Sequence, residues 1–247
     1  MASHKGFQYE INAYNELSKI GIVPDWSVPS GANSDNPDLI LYHNQKTAGC
    51  ELKIKAASAG SLVLKYDISD TDNPWKFNEI KPENAEKILL RDLAHQVDVF
   101  SIIKKQWKTI PLKREMDEVW YKEVGHLSCK ERYYIDKENF TEIIGEIPTT
   151  KVEDYYNKKN SWYINVGTHG LYLLGKENPL ELKGVPKFSE SSVTSYRARV
   201  QYKRRYSYQF TFEMQFYMKD KSPYNIAPVN LKTASIIKDK MNLDCFA

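Results

Sequence analysis

From Tyr196 to Met218 the chain alternates with a period of two, and no other feature constrains the fold as tightly. The even positions read Tyr, Ala, Val, Tyr, Arg, Tyr, Tyr, Phe, Phe, Met, Phe, Met, while the odd ones include Arg197, Arg199, Gln201, Lys203, Arg205, Gln209 and Gln215. Successive side chains of an extended strand point to opposite faces, so this pattern dictates β structure with one apolar and one polar face. Only Arg204 interrupts the apolar side. A single strand of this length would run about 75 Å, so the segment is expected to turn, with the basic stretch Lys203 to Arg205 as the turning point. An all-helical fold is excluded.

The ribbon also reorganises the charge. The 247 residues carry 35 Lys+Arg and 32 Asp+Glu, a near-neutral +3. Residues 187–221 hold 8 of the basic and 3 of the acidic groups, a local +5, which leaves a slightly acidic remainder. A two-stranded ribbon fits the DNA major groove, where Arg and Lys pair with guanine edges and Gln with adenine. Arg197, Arg199, Gln201, Lys203 and Arg205 are therefore candidate DNA contacts. The competing reading is an ordinary antiparallel sheet with one solvated face, its Lys and Arg guarding an edge.

The other global features narrow the classes further. An aromatic content of 13% excludes a disordered chain. Cys50, Cys129 and Cys245 are too few for a disulfide framework and lack zinc-ligand spacing. The five histidines form no H-x-H or H-x-x-x-H pair. No glycine-rich phosphate loop occurs, no apolar run is long enough to span a membrane, and residues 1–7 lack an apolar signal core. These point to a cytoplasmic protein. Helices are expected over residues 4–20, on a Phe7, Ile11, Tyr14, Leu17 stripe, and over 83–107, on a Leu89, Leu93, Val97, Phe100, Ile103, Trp107 stripe. Residues 23–37 read as a loop with a short strand at 26–28. The region past Pro111 reads as strand-rich with a hairpin around 167–170, and 230–242 as weakly helical.

The chemistry concentrates between the two helices. Residues 38–42 and 48–56 read as strands joined by a polar turn at His43 to Lys46. On the second strand Cys50, Leu52 and Ile54 point into a core, and Glu51, Lys53 and Lys55 share the other face. A carboxylate and an ammonium two residues apart lie about 7 Å apart at the backbone, which suits a metal ligand beside a group that handles water. In a hairpin, Asp38 falls beside Glu51 and Lys53. Two carboxylates and a backbone carbonyl form an incomplete oxygen shell, the kind Mg²⁺ completes with waters and a phosphate oxygen. Glu10, within the first helix's apolar side, and Gln96, within the second's, are polar residues where a purely structural reading is uncomfortable.

Pro37-Asp38 followed by Glu51-Leu52-Lys53 resembles the motif of the PD-(D/E)xK nuclease superfamily. Pro24-Asp25, Glu79-Ile80-Lys81 and Glu181-Leu182-Lys183 match parts of it but lack flanking strands with apolar alternation. The resemblance covers roughly residues 4–107. It implies an α/β fold in which a mixed central sheet is flanked by helices, as in restriction endonucleases. It also implies Mg²⁺-dependent phosphodiester hydrolysis giving 5′-phosphate products. By the same resemblance Asp38 and Glu51 match the metal ligands and Lys53 the catalytic lysine. Glu10 resembles a first-helix carboxylate near the metal and Gln96 a glutamine on the following helix. Lys55 is expected to be solvated or to contact a phosphate. With no linker visible, residues 1–247 are expected to form one domain, with a nuclease core at 4–110 and a β-rich specificity elaboration at 111–247. The leading expectation is a sequence-specific, homodimeric cutter of double-stranded DNA like type II restriction enzymes. A structure-specific nuclease similar to Holliday-junction resolvases or phage recombination nucleases is the alternative. A non-catalytic nucleic-acid-binding protein is a second alternative.

Overall fold

The structure, a computed structural model, describes residues 4–27, 36–56, 58–78, 85–112, 127–203 and 207–247. It is a mixed α/β protein with two sheets flanked by helices. Contacts divide the chain into two compact units, one built from residues 1–57, 148–194 and 216–247, the other from 58–147 and 195–215.

The first unit contains a four-stranded sheet in the order β1-β2-β6-β7. Helix α1 (His4–Lys19) precedes it, ending where Gly21 adopts a left-handed φ of 74°. The N–H of Ile22 then bonds back to the Leu17 carbonyl, a terminus that favours glycine. The buried stripe of α1 is Tyr9, Ala13 and Leu17, rotated from the expected one, and Phe7 is exposed. Strands β1 (Leu39–His43) and β2 (Lys46–Lys53) form an antiparallel hairpin with Leu39 opposite Cys50. Its two-residue turn, Asn44-Gln45, has positive φ at both positions, the twist that tight hairpins require.

Strand β6 (Ser161–Val166) lies parallel to β2, with Cys50 opposite Tyr163 and Glu51 opposite Ile164. Strand β7 (Gly170–Leu173) closes the sheet as the antiparallel partner of β6, in the expected hairpin. One face, with Cys50, Leu52, Tyr163, Leu171 and Leu173, packs on α1 and on residues of the 226–245 segment. The Tyr9 hydroxyl donates to the Ala227 carbonyl at 2.6 Å, and Asn165 accepts from the Ile226 N–H at 3.1 Å, tying helix, sheet and C-terminal segment together. Helix α5 (Thr150–Asn157) leads into β6 through a tight turn in which Asn160 is left-handed.

The second unit holds a five-stranded sheet in the order β4-β3-β9-β8-β5. Its strands are β3 (Ser58–Tyr66), β4 (Trp75–Phe77), β5 (Ile143–Glu146), β8 (Ser192–Lys203) and β9 (Ser207–Met218). The alternating ribbon is thus two long neighbouring strands, and residues 204–206 lie outside the described ones. Tyr196, Ala198, Val200, Phe210, Phe212 and Met214 are buried, as their even positions predict. Trp75, Trp107, Phe140 and Phe210 meet edge to face in the core, and α2 (Ala85–Gln96) packs on β3.

Several local expectations are corrected. The long helix is two, α2 and α3 (Val99–Gln106), because Asp98 is left-handed at φ 49° and breaks the run. The region past Pro111 does hold β5 to β9, and residues 129–139 and 150–157 within it are helices α4 and α5. The α4 start carries a capping box, Ser128 with Glu131, which the sequence reading did not use. Residues 24–27 contain no strand, and the C-terminal segment has only two short 3-10 turns, Lys238–Lys240 and Asp244–Phe246. Helix α6 (Phe188–Ser191) is a single turn before β8.

Candidate active site

The hairpin turn sets the register, and the register places Asp38 beside β2. Its Oδ2 accepts from the Leu52 backbone N–H at 2.8 Å, locking it over the strand that carries Glu51 and Lys53. Lys53 Nζ lies 3.0 Å from Glu51 Oε2 and 3.6 Å from Asp38 Oδ2. The three residues converge as their spacing predicted. Strand β2 stops at Lys53, however, so Lys55 leaves the shared face and is exposed beyond the strand end.

The sequence reading missed two members. Glu51 is fully buried, and its second oxygen, Oε1, meets Lys159 Nζ at 2.9 Å and the Ser161 hydroxyl at 3.0 Å. Both come from the turn and first residue of β6, brought in by the parallel pairing with β2. Gly49 permits this approach: a Cβ there would sit 2.2 Å from the Asn160 carbonyl oxygen and 2.8 Å from Pro37. The β2–β6 register shifts at the same point, between Gly49 and Cys50. Lys159 was one lysine among many in the sequence, and nothing local marked it. The Tyr156 ring of α5 lies 5.5 Å from Lys53 Nζ and 5.9 Å from Lys159 Nζ.

Glu10 is also buried, and its Oε2 has no hydrogen-bond partner. Burial, and then the charge of Asp38, push its carboxyl up to about 7. Burial and the neighbouring Glu51 likewise raise Asp38. Burial acts against the charge of Glu51, but Lys53 and Lys159 outweigh it and hold that carboxyl below its usual range. Burial also opposes charge on Lys53, yet Tyr156, Glu51 and Asp38 keep it protonated, well above the usual lysine range. Glu51 and the two lysines are mutually dependent: removing Lys53 or Lys159 leaves the Glu51 charge buried with less compensation.

Gln96 is the exposed last residue of α2, in the second unit. The polar side of the ribbon also differs from expectation. Glu213 is buried, and Arg197 and Arg199 are folded onto it at 2.7 and 3.3 Å, while Arg197 also pairs with Glu142 at 3.0 Å. Thr211 and Gln215 are buried on the same side. Two of the ribbon's arginines, Arg197 and Arg199, are therefore ion-paired within the sheet. Gln201 and Lys203 are half-buried, and Arg205 lies outside the described residues.

Among the described residues, no three His, Cys, Asp or Glu side chains form a metal-holding group. The oxygen donors that the group offers a cation are the carboxylates of Asp38 and Glu51, and the unpartnered Glu10 oxygen lies in the field of both. Among the described residues no helix is long and apolar enough to cross a membrane.

No protein-family model matches the chain, and no curated protein does. Among solved structures the chain is similar to HhaI endonuclease in complex with DNA, at 11% identity and a TM-score of 0.45, over 92% of this chain and 93% of that one.

Proposed function

We propose that this protein is a Mg²⁺-dependent endonuclease that hydrolyses phosphodiester bonds in double-stranded DNA, cutting at specific sequences as a homodimer. The observation that carries the reading is the convergence of Asp38, Glu51 and Lys53 at one end of the β1–β2 hairpin. Asp38 and Glu51 would hold the ion. Bound there, Mg²⁺ supplies a lowered pKa for the attacking water and neutralises charge on the scissile phosphate. Lys53 is held protonated, so it donates to a phosphate oxygen and stabilises developing negative charge rather than removing a proton. Asp38, fixed by the Leu52 N–H, keeps the carboxylate pair in register without reorganisation. The water oxygen bonds to phosphorus as the bond to O3′ breaks; the water gives up a proton to solvent and O3′ takes one from solvent, leaving a 5′-phosphate and a 3′-hydroxyl.

One observation favours a second reading, a non-catalytic nucleic-acid binder: both Glu51 oxygens are already engaged by lysines and Ser161. Plasmid, phage and branched DNA incubated with Mg²⁺ or EDTA separate the possibilities. Discrete Mg²⁺-dependent fragments, lost in Asp38→Ala, Glu51→Ala and Lys53→Ala while DNA binding persists, are the expected result. Cleavage confined to branched substrates would favour a structure-specific nuclease. Intact DNA with every metal and substrate would leave the binder.

A further inference from the structure

The apolar face of the ribbon runs on past its buried part. Ala198, Val200, Phe210 and Phe212 are buried on it, but Tyr202, near the end of β8, is 41% exposed, and Tyr208, near the start of β9, is half-buried. Helix α4 meets them there. The Tyr133 ring lies 5.1 Å from Tyr202 and 6.0 Å from Tyr208, edge to face with both, and 5.2 Å from Tyr134, which is 50% exposed. We infer that this four-tyrosine cluster is a stacking platform for the unpaired nucleotides of single-stranded DNA. The inference rests on the nucleic-acid reading of the chain and makes no use of Asp38, Glu51 or Lys53.

Three observations carry it. First, the rings are held from behind. The Tyr208 hydroxyl lies 2.7 Å from the buried Asp136 carboxylate and 2.8 Å from the Leu112 carbonyl, and the Tyr133 ring leans on Tyr208. A base that stacks on the outer rings therefore has little left to order. Second, the outer rings are open. Tyr134 and Tyr202 keep about half of their surface in water, and among the described residues the hydroxyls of Tyr133, Tyr134 and Tyr202 have no hydrogen-bond partner. Such rings suit a ligand that is apolar over its face and wet at its rim, and every nucleobase offers a π-face of this kind. A duplex hides those faces in its stack, so the platform selects unpaired nucleotides. Third, the charge is complementary. Lys130, Tyr133, Tyr134 and Lys137 stand at i, i+3, i+4 and i+7 on α4, which sets two exposed ammoniums between two rings. Neither lysine has a carboxylate partner among the described residues. The helix's acids are turned elsewhere: Asp136 is buried, Glu131 accepts from the Ser128 N–H at 2.7 Å in the capping box, and Glu138 falls on the side of Tyr134 away from Tyr133. Rings alternating with ammoniums complement a strand in which bases alternate with phosphates.

The test is the fluorescence anisotropy of a labelled oligo-dT and of a labelled duplex, each titrated with the full chain in EDTA so that nothing is cut. Tyr134→Ala and Tyr202→Ala are each expected to weaken oligo-dT binding about tenfold, and duplex binding far less, while Tyr134→Phe and Tyr202→Phe, which keep the ring, stay within about twofold of wild type. The double variant Lys130→Gln/Lys137→Gln should lower the slope of log affinity against log salt by about 1.4, the share of two single-strand phosphates. Wild-type binding to the duplex but not to oligo-dT, alanine variants that bind oligo-dT like wild type, equal losses on oligo-dT and duplex, or an unchanged salt slope would overturn the inference and leave the nuclease reading standing. Phenylalanine variants as weak as the alanine ones would assign the contact to the hydroxyls and overturn stacking. A self-association in sedimentation that Tyr134→Ala abolishes, with oligo-dT binding unchanged, would give the patch to a second copy of the chain and overturn it too. No binding of either DNA would remove the inference together with the nucleic-acid reading. Should circular dichroism show Tyr202→Ala unfolded, the exposed Tyr134 decides through its alanine and phenylalanine variants.

Discussion

Glu10→Gln should make the protein more stable, and only above a defined pH. The Glu10 carboxyl is buried with an unpartnered oxygen and sits near the negative Asp38, which raises its pKa from 4.5 to about 7. The folded state therefore holds this proton more tightly than the unfolded chain does. Below about pH 4.5 the carboxyl is neutral in both states and costs nothing. Between about 4.5 and 7 the unfolded chain releases the proton and the folded one retains it, so stability falls as pH rises. Above 7 the penalty is complete, and at about 1.4 kcal/mol per unit it amounts to at most about 3 kcal/mol. Glutamine is isosteric with the neutral acid and escapes it. Urea unfolding in EDTA at about pH 4.5 and about pH 8 should show the variant nearly equal to wild type at the lower pH and up to about 3 kcal/mol more stable at the higher. Adding Mg²⁺ at the higher pH should stabilise wild type more than the variant, because a cation offsets the ionised carboxylate. The same difference between the two proteins at both pH values would refute the reasoning.

Other perturbations follow from single contacts. Gly49→Ala forces a methyl against the Asn160 carbonyl and should cost about 3 kcal/mol or more, read as a lowered Tm; an unchanged Tm would mean the β2–β6 approach is looser than described. Gln45→Gly relieves a left-handed φ of 63° in the hairpin turn and should raise stability by about 1 kcal/mol in urea titration. Arg197→Ala strips a partner from buried Glu213 and should destabilise by about 2 kcal/mol, with Arg197→Ala/Glu213→Gln recovering part of the loss. If the single variant unfolds like wild type, the arginine is free for other contacts, and a DNA-binding assay against salt becomes its proper test.

The sequence was most informative where structure is local. The β1–β2 hairpin was legible because its register follows from a turn and two alternating strands, and that register alone sets Asp38 against Leu52 and Lys53. The ribbon's apolar face was legible for the same reason. Errors arose where one signal competed with another. Aromatic content coloured the whole region past Pro111 as strand-rich, and the helix start that Ser128 and Glu131 mark within it went unread. A continuous apolar stripe hid the break at Asp98, which needs only one residue with a left-handed backbone. The α1 stripe was placed by hydrophobicity, which favoured Phe7 and overlooked how well Tyr9 is satisfied by the Ala227 carbonyl. On the ribbon's polar face, odd positions were read as free charge. Whether Arg197 and Arg199 face solvent depends on Glu213, the neighbouring strand's residue, and Glu142, a distant one.

By itself, then, the chain determined a carboxylate pair with a lysine on one hairpin and a two-faced ribbon, since both are written in spacings of two along a continuous segment. Only the tertiary structure decided what surrounds them. Lys159 and Ser161 reach Glu51 because β6 joins β2 in parallel across a separation of 110 residues between Glu51 and Ser161. A parallel strand pair has no connecting turn to fix its register. It is selected by burial, by the close approach that Gly49 permits and by the compensation of a carboxylate that cannot be left charged alone in the core.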